Sequence, residues 1–205
     1  VTLRLAAALA LAIGVIGLAG FFAVVGEGPF VTPEERHLRA MKERTGTPER
    51  VEPVGYEFFA ALPHDRPLPE FAALERRAVS LEGYVQQVVP ASDGDVHLEV
   101  ARRPPGDPAY DPRYVTAEIT PAWRRGSRPW RIESLLATFR PTHGGPTPWD
   151  GGPRRVRVSG WLLYDFQYDG PPTARRPRLT GWEIHPVTRV EVWDEARMAF
   201  VEVAR

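Results

Sequence analysis

Twenty-two consecutive uncharged residues, Leu5 to Gly26, read LAAALALAIGVIGLAGFFAVVG. At about 1.5 Å per residue, a helix of that length crosses the roughly 30 Å hydrocarbon core of a bilayer. Arg4 precedes the run and Glu27 follows it. Cationic flanks stay cytoplasmic, so the chain from residue 27 onward is expected outside, in the periplasm or the extracellular space. The expected setting is therefore single-pass, in the inner (cytoplasmic) membrane, with a cytoplasmic N-terminus and lipid contact through residues 5–26. A cleaved signal peptide is the rival. The run is long for one, and Val24 and Gly26 before Glu27 make a poor cleavage pattern. Ala6, Ala10, Gly14 and Gly17 place small side chains on one helical face. That spacing lets another membrane helix approach closely, so other membrane-protein subunits are expected partners.

Residues 27–77 read as a connector. Thr32-Pro33-Glu34-Glu35 has the form of a helix start, with a capping-box acid at Glu35. The helix is expected to run to Thr45 and stop at Gly46. Its apolar stripe, Leu38 and Met41, is thin, so it is either solvated or docked. Five prolines follow, with Tyr56, Phe58 and Phe59 between them. Those aromatics are expected to pack on the next domain, or else on a partner. Pro69 to Arg77 reads as a short helix.

Residues 78–193 alternate with period 2, the mark of half-buried strands. The stretches are Ala78–Val89, Asp95–Ala101, Tyr114–Thr120, Arg154–Asp165 and Gly181–Trp193. Pro186 interrupts the last and predicts a bulge or an edge there. Between the third and fourth, Ile132, Leu135, Leu136 and Phe139 follow Ser127 and Pro129 at helical spacing. Three strands, a helix and two strands is the order of the OB-fold, a five-stranded Greek-key barrel. The expected class is thus mostly β: one transmembrane helix, then an OB-like β-barrel with a helix between its strands 3 and 4. Another small barrel or a sandwich is the alternative. Residues 194–205 read as a tail.

The segments GWEIHPVTRVEV (Gly181–Val192) and RVRVSGWLLYD (Arg155–Asp165) resemble a signature of small bacterial OB-fold proteins. Many of these are membrane-anchored or lipoproteins, described as nucleic-acid-binding by analogy of fold. The resemblance covers about Val79–Trp193 and implies an OB barrel outside the cytoplasm. This chain has no cysteine, hence no lipoprotein attachment site, and the helix must anchor it. The haem chaperone of cytochrome c maturation also joins a membrane helix to an OB barrel. Its histidine is followed four residues later by tyrosine; here Arg189 stands four after His185.

Without cysteine there are no disulfides, thiolate metal sites or cysteine nucleophiles. None of the five histidines is spaced as a metal pair, and no P-loop, GxSxG or GxGxxG occurs. Asp165 and Asp169 echo a calcium loop but lack its alternating ligands. No metal, cofactor or catalytic residue is therefore expected. His185, beside Glu183 and Trp182, reads chiefly as a structural ring at the bulge, with a ligand role as the other possibility. For nucleic acid, the outer face of strands 2 and 3 is a poor track, since it carries Glu99 and Glu118 beside His97, Tyr114 and Thr116. Basic and aromatic groups gather elsewhere. Arg155 and Arg157 lead into Trp161, and the following loop holds Phe166, Tyr168, Arg175, Arg176 and Arg178. These residues, with His185, form the candidate ligand site. The function that best fits is an extracytoplasmic binding or scaffold module, an accessory subunit of a larger membrane complex. The alternative is recognition of single-stranded nucleic acid or another anionic ligand through the loop 165–178.

Overall fold

The computed structural model describes residues 31–125, 154–170 and 177–203. Three expectations lie outside them: the membrane run with its small-residue face, the helix Ser127–Phe139, and Arg175 with Arg176. Among the described residues no helix is long and apolar enough to cross a membrane. The chain divides into two units, Val1–His37 and Leu38–Arg205. Apart from the first turns of helix α1, everything below belongs to the second.

Helix α1 (Pro33–Lys42) opens on a reciprocal capping box. Thr32 N donates to Glu35 Oε2 (2.9 Å) and Glu35 N to Thr32 Oγ1 (3.1 Å). Glu34 and Glu35 in its first turn and Arg39 and Lys42 in its last complement the helix dipole. Strand β1 (Glu52–Val54) and helices α2 (Tyr56–Ala60) and α3 (Leu68–Glu75) follow. Tyr56 and Phe59 are buried in the barrel's hydrophobic cluster, as are Leu62 and Phe71. Phe71, Tyr164 and Trp182 stack with ring centroids 4.3–5.2 Å apart.

The strands are β2 (Ala78–Pro90), β3 (Val96–Ala101), β4 (Tyr114–Ile119), β5 (Arg154–Tyr164) and β6 (Trp182–Asp194), with helix α4 (Pro121–Arg125) directly after β4. Their bounds differ by one residue or less from the alternation in the sequence. They pair in the order β2-β3-β4-β6-β5, and β5 returns to β2 in antiparallel register, Ala78↔Trp161 to Val85↔Arg154. The sheet is thereby a closed five-stranded barrel. One contact is parallel: β4 meets β6 at Ala117↔Ile184. Inward positions such as Leu81, Leu98, Ile119, Leu162 and Ile184 are essentially inaccessible to water. Each such side chain contributes about 1.5–3 kcal/mol on burial.

Two register shifts against β5 lie in β6, one between the partners of Gly160 and Leu162. That shift contains the cis His185–Pro186 bond and is the bulge expected at Pro186. Gly160 is needed opposite it. A Cβ there would overlap the Pro186 carbonyl oxygen and lie 2.8 Å from Ile184 Cγ2. Gly160→Ala is expected to cost about 1–3 kcal/mol, the usual range for overpacking. A urea midpoint equal to wild type would show that the bulge yields freely. Gly83 serves otherwise: a Cβ would lie 2.7 Å from the Ala101 carbonyl oxygen and overlap the Tyr56 hydroxyl, which crosses β2 to donate to Val100 O (3.0 Å).

Two strands were not visible in the alternation. β1 adds in parallel to β2, Glu52↔Val79 to Val54↔Leu81. Residues 194–205, read as a tail, include β7 (Ala199–Glu202), paired with β6 from Glu191↔Glu202 to Asp194↔Ala199. The turn between them is set by Asp194 Oδ1, which accepts from Ala196 N and Arg197 N. A strand of four residues is too short for period 2 to stand out from chance.

Candidate functional site

Two places on the barrel hold polar groups in unusual arrangements. The first is the outer face of β3, β4 and β6. Parity aims Thr116 and Glu118 out of the barrel, yet both are only 1% exposed. The expected open face is covered. The antiparallel register sets His97 opposite Glu118, and the β4–β6 contact brings Glu183 and His185 alongside. His185 Nδ1 lies 3.0 Å from Glu183 Oε1 and 3.0 Å from Glu118 Oε2, while its Nε2 faces Asp95 Oδ2 at 3.7 Å. His97 Nε2 is 3.4 Å from Glu118 Oε2.

Cations arrive from two directions. Lys42, the only lysine of the chain, reaches from α1 to within 3.2 Å of the Asp165 carboxylate. Arg178 lies 3.2 Å from Glu183 and 3.8 Å from Glu118. Its segment is fixed beside β4: Tyr114 N donates to Pro177 O (3.1 Å) and Leu179 N to Tyr114 O (2.7 Å). Tyr168 covers the guanidinium, its ring centroid 4.1 Å away.

Burial disfavours charge on His185, but hydrogen bonds to Glu118 and Glu183 outweigh it and raise its pKa to about 9. Burial also opposes ionisation of Glu118, and His185 reverses this, holding the carboxyl below its ordinary range. Asp95 is pushed up to about 6 by desolvation. Burial works against Lys42 too, yet Glu183, Glu118 and Asp165 together hold its pKa above the usual lysine value.

Arg44 fastens the segment after α1 to this region. Its guanidinium donates to three carbonyls, Glu75 O (2.6 Å), Leu162 O (2.9 Å) and His185 O (3.0 Å), and lies over the Trp161 ring at 5.3 Å. Trp123 Nε1 donates back to Arg44 O (2.9 Å), and Trp161 Nε1 to Gly46 O (2.9 Å).

The second place is a groove of about 780 Å³ between residues 47–55 and the outer face of β2, β5 and β6. Ser80, Glu82, Arg157, Ser159, Thr188, Arg189 and Glu191 line it from β2, β5 and β6, and Pro48, Val51 and Val54 from the neighbouring segment. Arg157 pairs with Glu82 (2.7 Å), and Arg189 with Glu191 (3.1 Å). Both arginines and Glu82 remain substantially exposed.

The candidate ligand residues are thus dispersed. Arg157 reaches the groove, and Arg155 pairs with Glu82 (3.4 Å) while its guanidinium covers Trp193 at 4.5 Å. Trp161 docks on Gly46. Phe166 packs against the barrel's hydrophobic cluster, and Tyr168 covers Arg178. Arg178 and His185 meet in the buried cluster, on opposite sides of Glu183. Asp165 and Asp169, the faint calcium echo, are engaged otherwise. Asp165 pairs with Lys42 and caps a 3-10 turn by accepting from Gln167 N, and Asp169 accepts from Tyr164 and pairs with His64 at 2.6 Å. Sequence reasoning missed Lys42, Arg44 and Asp95, which sit far from His185 along the chain. Lys42 alone carried a signal, as the single lysine among many arginines.

No protein-family model matches this sequence, and no curated protein does. Among solved structures the chain is similar to asparaginyl-tRNA synthetase of Entamoeba histolytica, at 16% identity and a TM-score of 0.38. The match covers 70% of this chain and 24% of that one. The same enzyme in complex with asparaginyl-adenylate gives 16% identity, a TM-score of 0.38, and 71% and 24% coverage. The chain spans about a quarter of the synthetase's length, and so slight a likeness carries no functional argument.

Proposed function

We propose that this chain is an OB-type binding module held outside the cytoplasm by a membrane helix over residues 5–26, serving as an accessory subunit that docks a protein partner in the groove beside β2, β5 and β6. The groove carries the reading. It offers both signs of charge, Arg157 and Arg189 beside Glu82 and Glu191, together with hydroxyls and apolar side chains. The Arg157–Glu82 pair is exposed at both ends, and such pairs contribute about 0–1 kcal/mol, so a partner's own charges can replace it at little cost. A polypeptide presents that mixture; a polyphosphate does not. The length of the uncharged run supports the anchor. The OB assignment is supported by the Greek-key closure β2-β3-β4-β6-β5 with a helix after the third strand.

Nucleic-acid recognition draws less support. Arg155, Arg157 and Arg178 each face a carboxylate already, and the Arg178 side chain is only 10% exposed. The test is mass spectrometry of the protein purified in mild detergent from its own membranes. The expected result is a stoichiometric membrane-protein partner, with residues 1–26 still on the chain. Arg189→Glu or Glu82→Arg should lower the partner's affinity about tenfold, the equivalent of about 1.4 kcal/mol. A lone wild-type chain would overturn the reading. Binding of single strands that weakens steeply with salt would favour the alternative.

A further inference from the structure

We propose that Asp95, Glu118 and His185 form a buried site for one divalent metal ion of the zinc or manganese class, held by an imidazole nitrogen and two carboxylate oxygens. The three side chains offer ligand atoms that all lie within 4.8 Å of one another, and all three residues are more than nine-tenths buried. They come from separate elements, the turn before β3, β4 and β6. The register pairs Val96↔Ile119 and Ala117↔Ile184 hold those elements together, so the set does not depend on a mobile loop.

An unpartnered atom distinguishes this cluster from an ordinary ion-pair network. His185 Nε2 is buried and has no hydrogen-bond partner among the described residues, the Asp95 carboxylate standing off at 3.7 Å. A desolvated polar atom left so costs about 1–3 kcal/mol, more if charged. Glu118 Oε2 lies 3.0 Å from His185 Nδ1, but that nitrogen carries one hydrogen and is also bonded to Glu183 Oε1. With Nδ1–H held by the Glu183 carboxylate, Nε2 is the ring nitrogen left for an ion, on the Asp95 side, where the ion would take the place of a proton. A carboxylate behind the imidazole, fixing its tautomer, is the usual support of a metal-binding histidine.

Charge balance points the same way. Four carboxylates gather here, Asp95, Glu118, Asp165 and Glu183, against two permanent cations, Lys42 and Arg178. Those cations face Asp165 and Glu183 rather than Asp95. An ion beside Asp95 and Glu118 would offset part of that excess. One nitrogen and two oxygens suit zinc or manganese better than magnesium or calcium, which prefer oxygen alone. The ion would be structural, joining three strands on the barrel's outer face. The proposal stands apart from the docking groove, which shares none of these residues.

The experiment uses the full chain in mild detergent, stripped with a chelator, incubated with ZnCl2 or MnCl2, desalted and assayed for metal. The expected result is about one equivalent of one of these ions per chain, with a raised Tm. Glu118→Gln and Asp95→Asn should each lose that equivalent. Glu183→Gln keeps every ligand but takes away the carboxylate behind the ring, along with a partner of Arg178, so it should weaken binding about 10–100-fold. Wild-type protein that retains neither ion and shows no Tm shift overturns the proposal, whatever the variants do. So does metal retained equally by wild type and all three variants.

Discussion

Arg44→Ala is expected to destabilise the protein by about 3–5 kcal/mol, read as a lowered urea midpoint at unchanged slope. A hydrogen bond to a charged group contributes about 1.5–3 kcal/mol. Arg44 donates to the carbonyls of Glu75, Leu162 and His185, and those bonds come from one planar group. Their sum is discounted because the side chain is only partly buried and water can take up some of the freed acceptors. The Leu162 and His185 carbonyls flank the β6 bulge, where the β5–β6 ladder is out of register. They therefore have a poor alternative within the sheet. Arg44→Lys preserves the charge but not the fork, and should recover less than half of the loss. Recovery to wild-type stability by lysine would show that charge, and not the fork, holds the segment.

Arg178→Met is expected to cost about 3–5 kcal/mol, the penalty for stripping a partner from a buried charge. Glu183 is inaccessible to water and Glu118 nearly so, and Arg178 faces both. Combining Arg178→Met with Glu183→Gln should return part of the loss, since the uncompensated carboxylate goes with its partner. The experiment also separates two pictures of Arg178. As a solvated loop arginine waiting for an anionic ligand, its replacement should change stability by no more than about 0.5 kcal/mol. A value that small would contradict the burial described above and return the residue to the ligand-binding reading.

Much of the architecture was legible because it is local. Period-2 alternation marked all five barrel strands, Pro186 marked the bulge, and Thr32 with Glu35 marked the capping box. The aromatics Tyr56 and Phe59 announced their burial by being apolar among prolines. What was not legible depends on contacts between distant segments. Parity correctly aimed Thr116 and Glu118 away from the barrel interior, but outward is solvent only where nothing covers the sheet. The cover comes from Arg178 and from Glu183 and His185 of β6, far downstream, with Lys42, far upstream, close enough to act on Glu118 and Glu183. Arg178 looked like its neighbours in an arginine-rich loop. Nothing in its immediate sequence tells that its segment bridges to Tyr114. His185 stood out by its motif, while Asp95 and Glu118 join it only through strand pairing.

The single parallel contact between β4 and β6 has a consequence for how the barrel comes apart. Every other barrel junction is an antiparallel ladder of six or more register pairs, whereas this one has the pair Ala117↔Ile184. Backbone bonding there is sparse, so side chains across the junction, Glu118 on one strand and Glu183 and His185 on the other, hold it shut. Amide exchange should therefore be fastest to escape along this line, with β4 and β6 parting before β2 leaves β5. A barrel unzipped at that line becomes a curled sheet with two unsatisfied edges, which other chains can extend. The first step of unfolding and the first step of aggregation are then the same event, and whatever fastens Glu118 to His185 guards against both.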